Sequence, residues 1–561
     1  MGGRVSRRRG VSLALATAVL WAATGLGPAV ARPPEVVPLR LIAFGDLHGN
    51  LLPPQGSRSK VVRSDGESVP VGGAAYLAAY VRQLRGQAEN SVLYSVGDTW
   101  GSSPLESAMF HEEPTVELLN ALGVNALALG NHEFDHGVAE VQRLRDGGCH
   151  SEGCRYVSPF EGAQFPLLGA NLFTADGSPA ALPFSVDYID GVPVGVIGVL
   201  PSNTPDVISA ESIEGLQFGD EVEAADRTAD ILDALGVRSI VLLYKGDLPV
   251  PSGHDMCDPE SGPAAAVATR VSPKIDVIVT SDGENHFNCS FLDPLGKPRT
   301  VVQGASHGRI LSVADLTIDR ESRDVIRDRT VSFNQVVTHD IAPDPRTKEF
   351  VDRAVDQSAS VAGQSVGTIT ADLTREKTVG GESTLGNVIA DAQLAAAEST
   401  GAQIALTNPD GMRADLTHAD DGIVTFGETY AVQPFGNRLL QLEVTGAQLV
   451  ALLEQQFQTD VFGRPFERIL SPSHTLRYTI DRAAEPGQRI QDVAVAGQPL
   501  DPAATYVVVV NDFLAAGGDG FTAFTEGRRT TGAGADLDAL NEYLSAHGPV
   551  SPPPTDRISV R

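Results

Sequence analysis

The sequence predicts an α/β protein, and three observations lead to this fold class. Short apolar runs alternate with helical stretches from residue 37 onward. Several of the runs are rich in Val, Ile and Leu with no polar alternation, which is typical of strands buried on both faces. The composition, with 42% hydrophobic and 20% charged residues, is that of a globular protein.

The first half of the chain is predicted to form a domain over residues 38–337. Its helices are predicted at 73–87 and 114–122. Its strands are predicted at 39–44, 91–96, 125–129, 194–200, 239–243 and 275–279. An acidic, proline-containing stretch then leads into an exposed helix predicted at 346–360, whose apolar positions are Phe350, Val351 and Val355. A lone helix between two strand-rich regions indicates a linker, which we place at 338–365.

A second, smaller α/β domain is predicted at residues 366–545, followed by a tail at 546–561. The domain holds a helix at 385–399. Its strands are predicted near 403–407, 439–444 and 505–510, and the sequence shows no internal repeat.

The first 31 residues have the pattern of a signal peptide. Arg7, Arg8 and Arg9 form a basic segment, residues 11–27 are apolar, and the small residues 29–31 form a cleavage motif. The alternative is an uncleaved membrane anchor, because the run has about the ~20 residues that a spanning helix needs. The cleavage motif favours export, and the clustered arginines leave the Sec and twin-arginine routes both open.

Four cysteines remain after the leader. An even number in an exported protein indicates two disulfides, and sequence proximity favours Cys149–Cys154 and Cys257–Cys289 among three connectivities. The alternative for the first pair is a metal site that includes His150, for which no complete ligand set is visible.

The formal net charge of -29 bears on the partners of the protein. Such a surface repels long polyanions, so no nucleic-acid polymer is expected as a partner. A small phosphorylated molecule remains a possible substrate, because a bound metal and a few arginines reverse the field locally.

Polar residues directly follow three of the predicted strands, at 45–50, 97–98 and 130–135. Ligand sites of α/β folds gather at the carboxyl ends of strands. The set of Asp46, His48, Asp98 and Asn131 can hold divalent cations through oxygen and nitrogen, with one aspartate bridging two ions. Next to this set, His132 could protonate a leaving oxygen while its ring is oriented by Asp135.

These motifs resemble those of the calcineurin-like metallophosphoesterases and, within them, the bacterial 5′-nucleotidase/2′,3′-cyclic phosphodiesterase group. The resemblance spans nearly the whole mature chain. It is carried by residues 45–50, 97–104 and 130–137 in the first domain, and by 382–392, 408–413, 433–437 and 511–521 in the second.

The resemblance implies a metallophosphoesterase β-sandwich flanked by helices, a linker helix and a C-terminal substrate-binding domain that rotates to close the site. It implies that Asp46 and His48 hold the first metal, that Asp98 bridges, and that Asn131 serves the second metal. It further implies His132 and Asp135 as the catalytic dyad.

The resemblance also implies a nucleoside site in the second domain. Phe435 and Phe513 would sandwich the base, although a single phenylalanine is more often a core residue. Asp519 would accept hydrogen bonds from the ribose. The remaining contacts would come from Asn408 and Asn437 to base or sugar, from Arg413 to phosphate and, on a looser match, from Arg375 to phosphate.

The sequence departs from this family at three ligand positions. Tyr244, Asp282 and Glu284 stand where the family has His, or His or Gln in the last case, and Lys245 is expected in solvent. His254, His286 or His307 could substitute. The carboxylates favour harder cations than Zn²⁺, and the first metal site is expected to be the tighter. Alternatively, the second metal has been lost.

We therefore expect an exported, metal-dependent phosphoester hydrolase, most specifically a 5′-nucleotidase of nucleotide catabolism, with one or two divalent ions (Mn, Mg, Ca or Zn). The alternative is a secreted nucleotide- or nucleoside-binding protein of the same fold with impaired catalysis. The substrate would be a small nucleotide. The mature protein is expected to be a monomer, free of the membrane and located outside the cell or in its envelope.

Overall fold

Two six-stranded sheets form the centre of the N-terminal region in the computed structural model, which describes residues 35–55, 58–62, 66–248, 257, 262–283, 285–459 and 465–561. Five of the strands position the site: β1 (Val36–Phe44), β2 (Ser91–Val96), β3 (Ala126–Ala128), β4 (Ser239–Lys245) and β5 (Val277–Ser281). The first sheet has the order Val331–Val336, Ile310–Asp319, β1, β2, β3 and Leu167–Leu168. The second has the order Phe287–Leu292, Pro298–Gln303, β5, β4, Val192–Val199 and Phe184–Ile189.

The two sheets pack face to face as a sandwich. Leu41 and Tyr94 of the first sheet and Val241 and Val277 of the second share one buried core. Because both faces of the central strands are covered, their sequences are apolar without alternation. Helices cover the outer faces, namely Ala74–Gly86, Leu105–Ala108, Glu113–Leu122 and Val138–Asp146 on one side and Glu221–Ala234 and Pro263–Arg270 on the other.

The predicted linker helix is present as Pro345–Ala362, and the Asp344 side chain caps it by accepting from the Thr347 amide. It is less exposed than the sequence suggested. Val351 is buried in the core of the first sheet and its helices, and Phe350 and Val355 pack against that core.

A five-stranded and a four-stranded sheet form the C-terminal region. The former has the order Ser471–Pro472, Ile404–Thr407, Thr505–Asn511, Arg438–Thr445 and Arg528–Ala535. The latter has the order Gln498–Pro499, Ile490–Val495, Leu476–Ile480 and Ile558–Val560. The helices are Thr384–Glu398, Phe426–Val432, Gly446–Glu454, Asp512–Ala515 and Asp536–His547. Two-stranded sheets pair Lys60–Val62 with Ser68–Pro70, Leu172–Thr174 with Leu216–Phe218, Ser365–Thr368 with Ile423–Thr425 and Phe457–Thr459 with Pro465–Glu467.

Residues near the end of the chain belong to this domain, which corrects the prediction of a separate tail at 546–561. Ile558–Val560 pairs in parallel with Leu476–Ile480. The preceding Arg557 is buried and binds the Asp391 carboxylate at 2.7 Å. A buried arginine needs such a partner, so the last residues are fixed on the domain.

Both predicted disulfides are formed, Cys149–Cys154 and Cys257–Cys289. The cysteine sulfurs are therefore not metal ligands beside His150. The predicted leader, His254 and Glu284 lie outside the described residues. None of the helices in the described ranges is long and apolar enough to cross a membrane.

Candidate active site

Three loops at the carboxyl ends of β1, β2 and β3 meet at one edge of the first sheet. The Asp46 amide donates to the Gly97 carbonyl at 3.0 Å, and the His48 amide donates to the Asp98 carbonyl at 2.9 Å. Asp46, His48 and Asp98 all have left-handed backbone angles, with φ of 49°, 47° and 48°. Such angles are costly for residues with side chains and are typical of functional sites. The loops thus hold two buried carboxylates and an imidazole close together.

Glu133, which was not predicted as a site residue, connects the loops after β2 and β3. Its buried carboxylate accepts from the amides of Asp98, Thr99 and Gly130 at 2.8, 2.7 and 2.6 Å. Gly130 allows the close approach, since a Cβ there would lie 2.2 Å from Asp98 Oδ1. The only signal for this role is that Glu133 directly follows Asn131 and His132 in the sequence. Nothing in the sequence shows that the Glu133 side chain points inward.

Lys245 lies among the carboxylates, which corrects the expectation that it faces solvent. Its Nζ donates to Asp46 Oδ1 at 2.8 Å and to Asp282 Oδ1 at 3.0 Å, and it lies 2.8 Å from Asp98 Oδ2. The residue is only 3% exposed. Burial lowers the pKa of Lys245, but the three carboxylates outweigh burial and hold it well above its usual range. The ammonium is therefore charged at neutral pH.

Tyr244 lies on the opposite face of β4. Its ring is buried with Leu242, Ile278 and Phe287 in the core under the outer helices. The strand alternation that places Lys245 in the site therefore turns Tyr244 away from it. This corrects the expectation from the family resemblance that Tyr244 stands at a metal position.

The two ring nitrogens of His48 have different roles. Its Nδ1 donates to the Gly101 carbonyl at 2.9 Å, so Nε2 carries the free lone pair. Nε2 lies 3.4 Å from Arg413 Nη2 of the second domain. Burial lowers the pKa of His48, which keeps it neutral and suited to bind a cation or accept a hydrogen bond. Its ring lies 6.0 Å from that of His307, but neither His307 nor His286 is among the residues that line the cavity described below.

His132 and Asp135 form the predicted pair. His132 Nδ1 lies 2.9 Å from Asp135 Oδ2, and its ring is 4.8 Å from that of His48. Burial lowers the pKa of His132, but Asp135 and Asp98 outweigh it and the net shift is upward. The arrangement favours a protonated imidazole whose Nε2 is available to donate.

These groups open into a cavity of about 1660 Å³ between the two regions. From the second domain, the Phe435 ring lies 5.9 Å from the His132 ring at an angle of 23°. The Arg413 guanidinium lies 5.9 Å from the Phe435 ring centre. Every described residue of the predicted site lines this cavity: Asp46, His48, Asp98, Asn131, His132, Asp135, Asp282, Arg375, Asn408, Arg413, Phe435, Asn437, Phe513 and Asp519.

The far end of the cavity is a hydrogen-bonded loop of the second domain. Asp519, buried and with φ of 58°, accepts from Asn408 Nδ2 at 2.7 Å. Asn408 Oδ1 in turn accepts from Asn511 at 3.0 Å. One face of the Phe513 ring is covered by the Gly518 backbone, where a Cβ would lie 2.5 Å from the ring. Phe513 is half-buried rather than part of the core.

Two further residues that were predicted to contact the substrate, Arg375 and Asn437, are paired with carboxylates of the protein. Arg375 Nε lies 3.1 Å from Asp415 Oδ1, and Asn437 Nδ2 donates to Asp536 Oδ2 at 3.2 Å. Both side chains are thus fixed at the cavity wall, with part of their hydrogen-bonding capacity used by the protein.

The donor set can be compared with the needs of divalent cations. Carboxylate oxygen and imidazole nitrogen are suitable ligands. Asp46 Oδ2 is buried and has no hydrogen-bond partner among the described residues. The ligand atoms of His48, Asp98 and His132 lie within 4.8 Å of one another, and His48 Nε2 lies 3.9 Å from the other Asp46 oxygen, Oδ1. These donors fit one ion. The inner oxygens needed for a second ion are taken by Lys245, so the set does not fit two.

Comparison with known proteins gives two family matches and several whole-chain relatives. The calcineurin-like phosphoesterase family matches residues 39–280, and the 5′-nucleotidase C-terminal domain family matches 362–526. "Endonuclease YhcR" of Bacillus subtilis is 29% identical over 92% of this chain. The match covers 40% of the length of that relative, so this chain spans less than half of it. The snake venom 5′-nucleotidase of Naja atra is 26% identical over 92% of this chain and 97% of its own.

A solved structure shows the same two-domain fold. The 5′-nucleotidase precursor from Thermus thermophilus superposes with a TM-score of 0.77 and is 28% identical. The match covers 93% of this chain and 99% of that one.

Proposed function

Since the chain belongs to the calcineurin-like phosphoesterases that carry a 5′-nucleotidase C-terminal domain, we propose that it hydrolyses phosphate esters of nucleotides. The observation that carries the proposal is one cavity lined by a His132–Asp135 pair on one side and by Arg413 and Phe435 on the other. The substrate class fits this lining, because it offers a cation for phosphate and a ring for the base.

The proposed reaction adds water to phosphorus and breaks the bond to the nucleoside oxygen, and the proton that the water loses passes to solvent, from which His132 regains the one it gives up. His132 Nε2 gives its proton to that leaving oxygen, and Asp135 keeps the proton of Nδ1 in place. Arg413 binds phosphate oxygens and so neutralises charge that develops on them. A divalent ion held by Asp46 and His48 would add Lewis-acid polarisation of a phosphate oxygen.

The second domain binds the rest of the substrate in this proposal. Phe435 and Phe513 stack on the base, and Asp519 accepts hydrogen bonds from the ribose hydroxyls. Asn408 orients the Asp519 carboxylate through its 2.7 Å hydrogen bond. The phosphate is thereby placed at the His132 end.

A second candidate function is nucleotide binding without turnover. It is favoured by one observation, the Lys245 ammonium among the carboxylates, because phosphate hydrolysis in two-metal sites relies on two divalent ions. The binding residues of the second domain serve either function.

Phosphate release from AMP, UMP and a chromogenic phosphodiester distinguishes the two. Assays contain Mn²⁺, Mg²⁺, Ca²⁺ or Zn²⁺ in turn, with His132→Ala as the inactive variant. His474→Ala is the matched control, because His474 also pairs with an aspartate, Asp391 at 3.1 Å, but is exposed. Turnover that His132→Ala loses and His474→Ala keeps supports hydrolysis.

No turnover above that of His132→Ala with any of the metals contradicts hydrolysis. Calorimetric titration with AMP then tests the binding function. Saturable binding that weakens in Phe435→Ala supports it, and no binding contradicts both functions.

We propose that the protein acts outside the cytoplasm. The predicted leader and the two disulfides support this, because disulfides persist in oxidising compartments. N-terminal sequencing of protein recovered from the medium or envelope fraction should begin at Arg32. Recovery of full-length protein from the cytoplasm alone would contradict export.

A further inference from the structure

We propose that the Lys245 ammonium replaces one divalent cation of this centre, so that the protein binds at most one metal ion there. The ammonium contacts one oxygen each of Asp46, Asp98 and Asp282 at 2.8, 2.8 and 3.0 Å. This is the contact pattern of a cation held by three carboxylates.

The ammonium and a metal ion compete for the same oxygens. A divalent ion binds carboxylate oxygens at about 2.0–2.6 Å. An ion bound to both Asp46 Oδ1 and Asp98 Oδ2 would therefore lie where Nζ now lies, and the two positive charges would repel strongly in a buried place. The other Asp98 oxygen, Oδ1, accepts from the His132 amide at 3.0 Å, so part of its capacity to bind an ion is already used.

The fold delivers Lys245 to this position. The residue ends β4 in the middle of the second sheet, with β5 on one side and Val192–Val199 on the other. It is in register with Ser281, and Asp282 follows directly on β5. The lysine and one of its carboxylates thus come from adjacent paired strands. The Lys245 side chain is 4% exposed, whereas that of Asp282 is 54% exposed.

One cation position remains beside the ammonium. Asp46 Oδ2, the oxygen that Lys245 does not contact, has no hydrogen-bond partner within the described ranges. His48 Nε2 carries the lone pair of its ring, because Nδ1 donates to Gly101, and Arg413 Nη2 lies 3.4 Å from it. His48, Asp98 and His132 offer ligand atoms within 4.8 Å of one another. These donors account for the single ion that the centre can accept.

The test is the number of metal ions bound at the centre, counted by Mn²⁺ titration calorimetry and elemental analysis. Lys245→Met keeps the length of the side chain and removes its charge, and we expect it to bind one ion more than the wild type. Lys245→Arg keeps the charge and is expected to gain none. The matched control is Lys274→Met, because Lys274 also bridges two carboxylates, Asp230 and Asp233 at 2.9 and 2.8 Å, but is exposed.

Two ions at this centre in the wild type would overturn the proposal, as would equal counts in the wild type and Lys245→Met. Folding of the variant is checked by near-UV circular dichroism with Mn²⁺ present. Where it fails, Lys245→Met/Asp282→Asn removes one positive and one negative charge together and is expected to gain the same ion. The ion count does not depend on turnover, so it separates this inference from the proposed hydrolysis.

A spectroscopic readout gives independent support. Two Mn²⁺ ions that share a carboxylate ligand are magnetically coupled, whereas a single ion is not. We expect the coupled spectrum by electron paramagnetic resonance in Lys245→Met and an isolated Mn²⁺ spectrum in the wild type. A coupled pair in the wild type would contradict the inference.

Discussion

The two ends of the cavity differ in how far they follow the family pattern. Asn408, Phe513 and Asp519 line the end that we call the nucleoside end, because the proposed function places the nucleoside there. At the other end, which we call the phosphate end and which Asp46, Asp98 and His132 line, Lys245 lies among the carboxylates, and Tyr244 lies in the core. Under the proposed function, the comparison means that the nucleoside end follows the family whereas the phosphate end takes part of its positive charge from a lysine.

The ends also differ in the forces available to them. The phosphate end relies on charges within a few ångströms of each other in a buried place, where electrostatic effects are large. The nucleoside end relies on aromatic surface and on a chain of amide and carboxylate hydrogen bonds. Substitutions at the first end should therefore change turnover, and those at the second should change affinity.

The largest effect is expected at the phosphate end, from His132→Ala. Loss of the proton donor should lower kcat by roughly 10²–10⁴-fold with little change in KM. Steady-state kinetics with AMP measures this, and His474→Ala should leave both constants unchanged. An equal rise in KM with kcat intact would show that His132 binds substrate rather than transferring a proton.

The next effect belongs to the nucleoside end, from Phe435→Ala and Phe513→Ala. Each change removes a stacking surface worth about 1–3 kcal/mol, so the Kd for AMP should rise about 5- to 150-fold. The Kd for inorganic phosphate should not change for Phe513→Ala. Tyr188→Ala, an exposed aromatic outside the cavity lining, is the control. Equal loss of phosphate and AMP binding in Phe513→Ala would place that ring elsewhere.

A smaller effect is expected from Asp519→Asn, which replaces a charged acceptor by a neutral amide. A hydrogen bond to a charged group contributes about 1.5–3 kcal/mol, so the Kd for AMP should rise at least about tenfold. The matched ligand is the 2′-deoxy nucleotide, for which the variant and the wild type should differ less. An identical loss for both ligands would show that Asp519 does not bind the ribose 2′-hydroxyl.

The smallest effect is expected from Arg375→Met. Its guanidinium is partly exposed and already paired with Asp415 at 3.1 Å, and such pairs contribute about 0–1 kcal/mol. We expect the KM for AMP to rise less than about fivefold, compared with no change in the exposed Arg477→Met. A rise as large as that in Arg413→Met would make Arg375 a principal phosphate ligand.

Much of the fold could be predicted because its signals are local. Buried parallel strands appear as unbroken apolar runs, and the predicted run at 91–96 coincides with β2. Glycines and polar residues after β1, β2 and β3 marked the edge where the site forms. The strand Ile558–Val560 was missed because it is three residues long and pairs with a strand about eighty residues earlier.

The orientation of residues at a strand end was not predictable. Tyr244 and Lys245 are neighbours, and which one enters the site depends on where β4 ends and how it pairs with β5. The general tendency of lysine to face solvent favoured the wrong choice. Only the three carboxylates, which come from distant parts of the chain, make a buried ammonium favourable here, and their convergence is a property of the tertiary structure.

Lys245 differs from a bound ion in one practical respect, because it is covalently part of the chain. A chelator, or surroundings poor in divalent metals, can remove an ion but leaves this charge in place at full occupancy. The phosphate end therefore keeps a positive centre in a metal-starved medium, where a site built for two metals would carry several unneutralised ligands. Affinity for phosphorylated compounds should accordingly fall less after EDTA treatment than in Lys245→Met treated in the same way.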